Sequence, residues 1–274
     1  MPKTILITGA TDGIGRETAH RLSAEGHHLL LHGRSAKKLA VVAEDLGRIS
    51  GAGPVETYRA DLSRLSEVAA FADKIATQHK CIDVLINNAG VFHTDAPITE
   101  EGLDIRFVVN TLAPALLTRR LLPLIPADGR IVHLSSAAQA PVDLDALAGK
   151  RRLEPSAAYA QSKLALTIWS QVLAKELGTN GPVSVAVNPG SLLATKMVKE
   201  GYGIEGNDVG IGADILVRAA TTEEFAESSG RYFDNDAGRF APPHADASDP
   251  VKVTAVVQAI EMAIADEMEG NPHD

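Results

Sequence analysis

The stretch Thr4-Ile5-Leu6-Ile7-Thr8-Gly9-Ala10-Thr11-Asp12-Gly13-Ile14-Gly15 decides how the rest of the chain is read. Ile5, Leu6 and Ile7 make a continuous apolar run, the pattern of a strand covered on both faces. Gly9, Gly13 and Gly15 then fall within seven residues, and a helical pattern opens behind them. Glycines permit a tight turn and a close backbone approach, while a helix N-terminus offers N–H groups and a positive dipole to phosphate. Thr11, Asp12 and Ile14 share that turn. A cradle for the pyrophosphate of a dinucleotide is a better reading than a strand-to-helix turn that binds nothing.

Working outward, strand and helix patterns alternate at the spacing of βαβ units. Strands are expected at Thr4–Thr8, His28–His32, Val84–Asn87, Arg130–Leu134 and Val183–Val187, with a shorter one at Val55–Tyr58. Helices are expected at Gly15–Gly26, Ala36–Ile49, Leu65–Gln78, Glu100–Leu124 and Ala157–Leu177. Ser35 suits an N-cap, and Ser248-Asp249-Pro250 reads as cap plus first-turn proline for a last helix reaching about Glu267. The expected fold is α/β: a doubly wound parallel sheet in three layers, forming one domain over residues 1–274 with no repeat or linker. Residues 137–156 and 191–208 break the alternation. Both leave strands at the carboxyl edge, where open sheets bind ligands, so they are the expected walls of a substrate pocket. The second carries Leu192, Leu193, Met197, Val198, Tyr202 and Ile204.

The totals exclude several classes. A net charge of −9 argues against a nucleic-acid partner. The single cysteine, Cys81, excludes a disulfide framework and reads as structural. The nine histidines show no metal-ligand spacing, so no metal is expected; His133 reads as a strand-core residue and His93 as a loop residue. No apolar run approaches the roughly 20 residues of a membrane-spanning helix, and Met1-Pro2-Lys3 lacks the shape of a signal peptide, so the expected setting is cytoplasmic.

At the end of the second strand, an acidic residue would hold a ribose 2′-hydroxyl and repel a 2′-phosphate. His32-Gly33-Arg34-Ser35 stands there instead, with Lys37 and Lys38 beyond. The planar fork of Arg34 suits a phosphate, which favours NADP(H). Asp12, inside the glycine turn, is the one charge that counts against it.

Tyr159 and Lys163, at i and i+4, share a helix face. Moving a phenol from a pKa near 10 to about 7 takes roughly 4 kcal/mol. One positive charge about 4 Å away at an effective dielectric of about 20 supplies that much. Ser135 and Ser136 end a strand at the same edge, where a hydroxyl could bond a substrate oxygen. Asn110 lies four residues before Pro114, whose missing N–H leaves the Asn110 carbonyl without its helical partner and open to a water.

In this order the motifs resemble the short-chain dehydrogenase/reductase superfamily over nearly the whole chain: Thr8–Gly15, Asp61-Leu62, Asn87-Asn88-Ala89-Gly90, Asn110, Ser135-Ser136, Tyr159–Lys163 and Pro189-Gly190. The resemblance implies seven parallel strands and hydride transfer at nicotinamide. It implies that Tyr159 is the general acid/base and that Lys163 tunes it and meets the nicotinamide ribose. Ser136 would position the substrate oxygen and Asn110 would hold a relay water. Asp61 would meet the adenine amine, Asn88 and Gly90 the adenosine ribose side, and Thr195 the nicotinamide end, with Leu62, Ala89, Pro189 and Gly190 as further cofactor-binding residues.

The 22 residues between Ser136 and Tyr159, and Gly230-Arg231-Tyr232-Phe233, are similar to the retinol-dehydrogenase-like branch. Pro114 and the looser Ser191–Thr195 loop depart from the common pattern. The implied activity is NADP(H)-dependent interconversion of an apolar aldehyde or ketone with its alcohol, the small-molecule substrate being the partner. The rival is a non-catalytic NADP-sensing regulatory protein, which would typically have lost the tyrosine or the lysine. A homodimer or homotetramer through the helices Glu100–Leu124 and Ala157–Leu177 is also implied.

Overall fold

The computed structural model describes residues 1–195, 203 and 205–268. Its first half runs β1 (Thr4–Ile7), α1 (Gly13–Ala24), β2 (His28–Gly33), α2 (Ala36–Gly47), β3 (Val55–Arg59), α3 (Leu65–Gln78), β4 (Val84–Asn87), α4 (Ile105–Phe107) and α5 (Ala113–Leu121). The second runs β5 (Arg130–Leu134), α6 (Leu144–Leu147), α7 (Pro155–Leu177), β6 (Val183–Asn188), α8 (Val209–Thr221), β7 (Tyr232–Asp234), β8 (Arg239–Ala241) and α9 (Pro250–Met268). The strands form one sheet in the order β3-β2-β1-β4-β5-β6-β7-β8. Seven are parallel, and β8 returns antiparallel along β7. Chain order reverses between β1 and β4, which places the ligand crevice at the carboxyl ends of those two strands.

The two faces of the sheet explain the apolar runs. Ile5 and Ile7 of β1 pack with α1, α2 and α8 through Leu22, Leu39 and Leu216. Leu6, between them, points into the opposite layer of α3, α5, α7 and α9 with Phe71, Leu116 and Ile168. Neither face of such a strand meets water, so alternation of apolar and polar residues is replaced by continuous hydrophobicity.

The elements follow the sequence expectations with specific corrections. Asp12 caps α1, whose first residue is therefore Gly13 rather than Gly15. Ser35 caps α2 through the Lys38 amide, as expected. Asp249 accepts from the amides of Val251 and Lys252 ahead of α9. The expected helix Glu100–Leu124 is shorter and interrupted. Gly102 turns with φ +83°, Asp104 caps the Arg106 amide, and helix begins only at Ile105. Val108–Leu112 then form a π turn, in which the Ala113 amide bonds back to the Val108 carbonyl. Pro114 sits in the first turn of α5 just beyond it, where its missing N–H is tolerated. The helix α8 and the strand β8 were absent from the expectations, and β7 had no assigned range.

α9 lies on α5 and α7. Val256, Ile260 and Ile264 are buried with Leu116, Leu117 and Trp169. Trp169 Nε1 donates to Glu261 Oε1 at 2.8 Å, and Arg119 bridges Glu261 and Glu176 at 2.7 and 2.6 Å. The helix pair expected to meet another copy thus carries a helix of its own chain. Among the described residues no helix is long and apolar enough to cross a membrane.

Candidate active site

A groove of about 390 Å³ opens along the carboxyl ends of the first five parallel strands. The glycine turn forms its floor. Gly9 and Gly13 adopt φ +67° and +50°, conformations that side chains other than glycine rarely take. A Cβ on Gly15 would lie 2.4 Å from both Asn88 Nδ2 and the Gly9 carbonyl oxygen. Only glycine fits, and the backbone of Thr11–Gly15 consequently lines the groove. Asn88 knits this turn to β4: its amide nitrogen donates to the Thr8 carbonyl at 2.8 Å and to Gly9 at 3.2 Å. The Thr8 hydroxyl accepts from the backbone amides of Asn88 and Ala89.

One end of the groove is set by β2 and β3. Arg34, Lys38, Asp61 and Leu62 line it. Arg34 is exposed, and among the described residues it pairs with no carboxylate. Asp12, the charge that counted against a phosphate here, accepts from the Gly13 amide at 2.9 Å and faces Lys38 Nζ at 3.7 Å. Its negative charge is offset in part by that cation, across exposed surface. The Asp61 carboxylate accepts from the Ser63 amide and hydroxyl.

The other end is set by β5 and α7. Tyr159, Lys163, Ser135 and Leu134 line it, with Val91, Phe92, His93 and Val109 opposite and Thr195 beside Gly13. Pro155 opens α7 in its first turn, and four residues later Tyr159 stands over the groove with its ring 5.0 Å from Phe92. Lys163 Nζ lies 5.7 Å from the centre of the Tyr159 ring and donates to the Leu134 carbonyl at 2.6 Å. Lys163 is 2% exposed, and this burial pulls its ammonium from 10.5 down to about 7. The positive charge that would favour a phenolate is therefore present below about pH 7 and fades above it in the ligand-free protein; an anion in the groove would extend it upward.

The structure separates the two serines. Ser135 turns its hydroxyl into the core between Thr167 at 2.7 Å and the Lys163 carbonyl. Ser136 is half-buried and bonds the Ala138 amide. Its carbonyl accepts from Tyr232 and from Gln139, each at 3.0 Å. Burial, with Asp234 and Asp236 nearby, pushes the Tyr232 phenol up, so it remains a donor. Asn110 is wholly buried: its side chain accepts from the Val91 amide at 2.8 Å and donates to the Val91 carbonyl and the Ser162 hydroxyl, each at 3.0 Å. It ties the loop after β4 to α7, next to Lys163.

Of the expected catalytic and cofactor residues, Asn110, Ser136, Pro189 and Gly190 are not among those lining the groove and the others are; residues 137–156, Leu192 and Leu193, expected as pocket wall, do not line it either. The Pro189 carbonyl accepts from Asn235, and Asp236 grips the amide and hydroxyl of Ser191. Met197, Val198, Tyr202 and Ile204, expected in the pocket wall, lie outside the described residues. Sequence reasoning overlooked His32, Val91, Phe92, Val109 and Tyr232. Phe92 had a readable signal, since it follows Asn88-Ala89-Gly90-Val91 at the crevice edge.

The groove spans five adjacent strands, about 19 Å from β3 to β5 at the usual strand spacing. Its glycine turn leaves no room for a Cβ, a cation stands at one end and a phenol–amine pair at the other. Fold and groove define an open-sheet α/β protein shaped for an extended phosphate-bearing ligand.

Comparison with known proteins agrees. The family model for short chain dehydrogenases matches residues 3–202. The chain is 32% identical over 265 residues to retinol dehydrogenase 13 of Homo sapiens, which covers 89% of this chain and 80% of that protein. Among solved structures, an uncharacterised protein from Mycobacterium paratuberculosis superposes with a TM-score of 0.77 at 29% identity, over 95% of this chain and 92% of that one. The landomycin C-6 ketoreductase with bound NADP and rabelomycin gives 0.67 at 29% identity, over 86% and 95%. The chain belongs to the short-chain dehydrogenase/reductase superfamily of oxidoreductases, in its retinol-dehydrogenase-like branch.

Proposed function

We propose that this protein is an NADP(H)-dependent oxidoreductase that interconverts an apolar aldehyde or ketone and its alcohol. The observation that carries the reading is the groove itself. Arg34 stands at one end, and Tyr159 and Lys163 share the other. The glycine turn suits a dinucleotide because the backbone of Thr11–Gly15 lines the groove at the start of α1, where free N–H groups can meet a pyrophosphate. Bound there, the cofactor supplies or accepts hydride at its nicotinamide ring.

In reduction, Tyr159 gives its phenolic proton to the carbonyl oxygen; in oxidation it takes the proton from the alcohol. The buried ammonium of Lys163 steadies the phenolate left behind. Because the two groups lie so close, their protons belong to a coupled pair. Ser136 offers its hydroxyl to the substrate oxygen, with its backbone held by Tyr232 and Gln139. The Asn110 carbonyl, in the π turn before Pro114, holds a water that resupplies the proton.

Arg34 and Lys38 take the 2′-phosphate, with Asp61 at the adenine and Thr195, Pro189 and Gly190 around the nicotinamide end. Val91, Phe92 and Val109 favour an apolar substrate. One domain does all of this, in the cytoplasm. A homodimer or homotetramer would form through the faces of α5 and α7 that lie beside α9, which packs on one side of both.

A panel of aldehydes and ketones assayed in parallel with NADPH and NADH tests the proposal. Turnover of apolar carbonyls that is faster with NADPH is the expected result. Binding of NADPH without turnover of any carbonyl or alcohol would instead favour the sensor reading.

A further inference from the structure

We infer that His32 is a positioning residue for the adenosine half of the cofactor, through a ring that ties the first glycine of the β1–α1 turn to the end of β3. The inference rests on the proposed NADP(H) site. His32 is 2% exposed and lies at the carboxyl end of β2, where it lines the groove. Both ring nitrogens are engaged, and with different elements. Nδ1 faces the Gly9 amide at 3.3 Å, and Nε2 faces the Ala60 carbonyl at 3.1 Å.

An amide can only donate and a carbonyl can only accept. The ring must therefore be the neutral tautomer with its proton on Nε2. Burial holds the imidazole in that state, down at about 4, although the bond to Ala60 and the nearby Asp61 pull the other way. The ring also stacks obliquely on Phe71, with centroids 5.0 Å apart, which fixes its plane.

The arrangement uses more than the ring. The His32 carbonyl accepts from the Ala10 amide at 2.9 Å, so one residue holds two successive amides of the glycine turn. Gly9 sits at φ +67°, in the left-handed region, and its amide is the one that His32 Nδ1 accepts from. On the far side, Ala60 directly precedes Asp61 and Leu62, both on the groove wall. His133, a histidine of the core, has an Nε2 without a partner among the described residues, whereas both nitrogens of His32 bond main-chain groups that border the groove. His32 instead sets the spacing between the turn and the adenine side of the groove.

Calorimetric titration with adenosine 2′,5′-bisphosphate isolates this half of the site. His32→Phe keeps an aromatic ring against Phe71 and removes both bonds; His32→Gln keeps a polar group able to reach Ala60. The expected result is about tenfold weaker binding of the bisphosphate to His32→Phe, matched by a rise in KM for NADPH with kcat at saturation unchanged. His32→Gln should recover part of the affinity and remains informative if the phenylalanine variant fails to fold. Bisphosphate affinities within twofold of wild type in a folded variant, or a fall in kcat with KM unchanged, would overturn the inference. Failure of the wild-type protein to bind either the bisphosphate or NADPH would sink the cofactor reading beneath it.

Discussion

Replacing Lys163 by methionine should separate the usefulness of its amine from the burden that amine places on the fold. Burial brings its pKa from 10.5 to about 7. At about 1.36 kcal/mol per tenfold change, keeping this group inside the protein costs up to roughly 5 kcal/mol relative to a solvated lysine. Between about pH 7 and 10.5 the unfolded chain holds the proton and the folded one does not. Stability therefore rises with pH across that window, and the burden is full below it and gone above it. Methionine fills a similar volume without charge, but it leaves the Leu134 carbonyl without its 2.6 Å donor. That loss returns about 1–2 kcal/mol. The ligand-free Lys163→Met protein should thus be roughly 3 kcal/mol more stable than wild type near neutral pH, or about 6 °C in Tm for a chain of this size. Near pH 10 the two should melt together, within about 1 kcal/mol. Thermal unfolding followed by circular dichroism at about pH 6.5, 8 and 10 reads this directly, and carbonyl turnover should be lost in the same variant. A Tm difference that stays constant with pH, or a variant less stable than wild type at the acidic end, would refute the reasoning.

Tyr159→Phe should lower turnover by about 10²- to 10⁴-fold while NADPH binding, followed by fluorescence, stays within a few-fold of wild type. Near-normal turnover would remove Tyr159 from the reaction. Arg34→Ala should weaken NADPH by about ten- to a hundredfold and leave NADH almost untouched, since it deletes one charge-assisted contact to a 2′-phosphate. Paired KM measurements check it, and an equal effect on both cofactors contradicts it. Gly15→Ala forces a Cβ to 2.4 Å from the Gly9 carbonyl oxygen, a main-chain atom that cannot swing aside. It should cost about 1–3 kcal/mol of stability and abolish NADPH binding, measured by melting and calorimetry; a variant that binds normally would show that the turn is not the cradle.

The parallel strands could be read from sequence because burial on both faces writes itself as unbroken hydrophobicity, as in Ile5-Leu6-Ile7 and Leu29-Leu30-Leu31. The glycine turn was legible for a different reason: its residues are contiguous, and the lack of a side chain is itself the signal. Helix ends were harder. Asp12 and Asp104 act as caps through local bonds, yet the apolar period runs past them, so α1 was expected to start two residues late and the Glu100–Leu124 helix five residues early. β8 has one inward aromatic, Phe240, and only β7 for a neighbour, too little pattern to announce a strand. At the site, His32 and Tyr232 were missed because their roles come from partners 28 and 96 residues away. No local period encodes that. The charge on Lys163 was legible as a presence, whereas its burial against Leu134 belongs to the assembled sheet.

The placement of α9 has a consequence for how the molecule comes into being. Trp169 on the tyrosine-bearing helix and Leu117 on α5 gain their outer cover only when Val256, Ile260 and Ile264 have been made and have folded back over them. A polypeptide cut short near Asp249 would keep its glycine turn, its tyrosine and its lysine, yet show an oily stripe to its neighbours. It should clump where the intact chain stays dispersed.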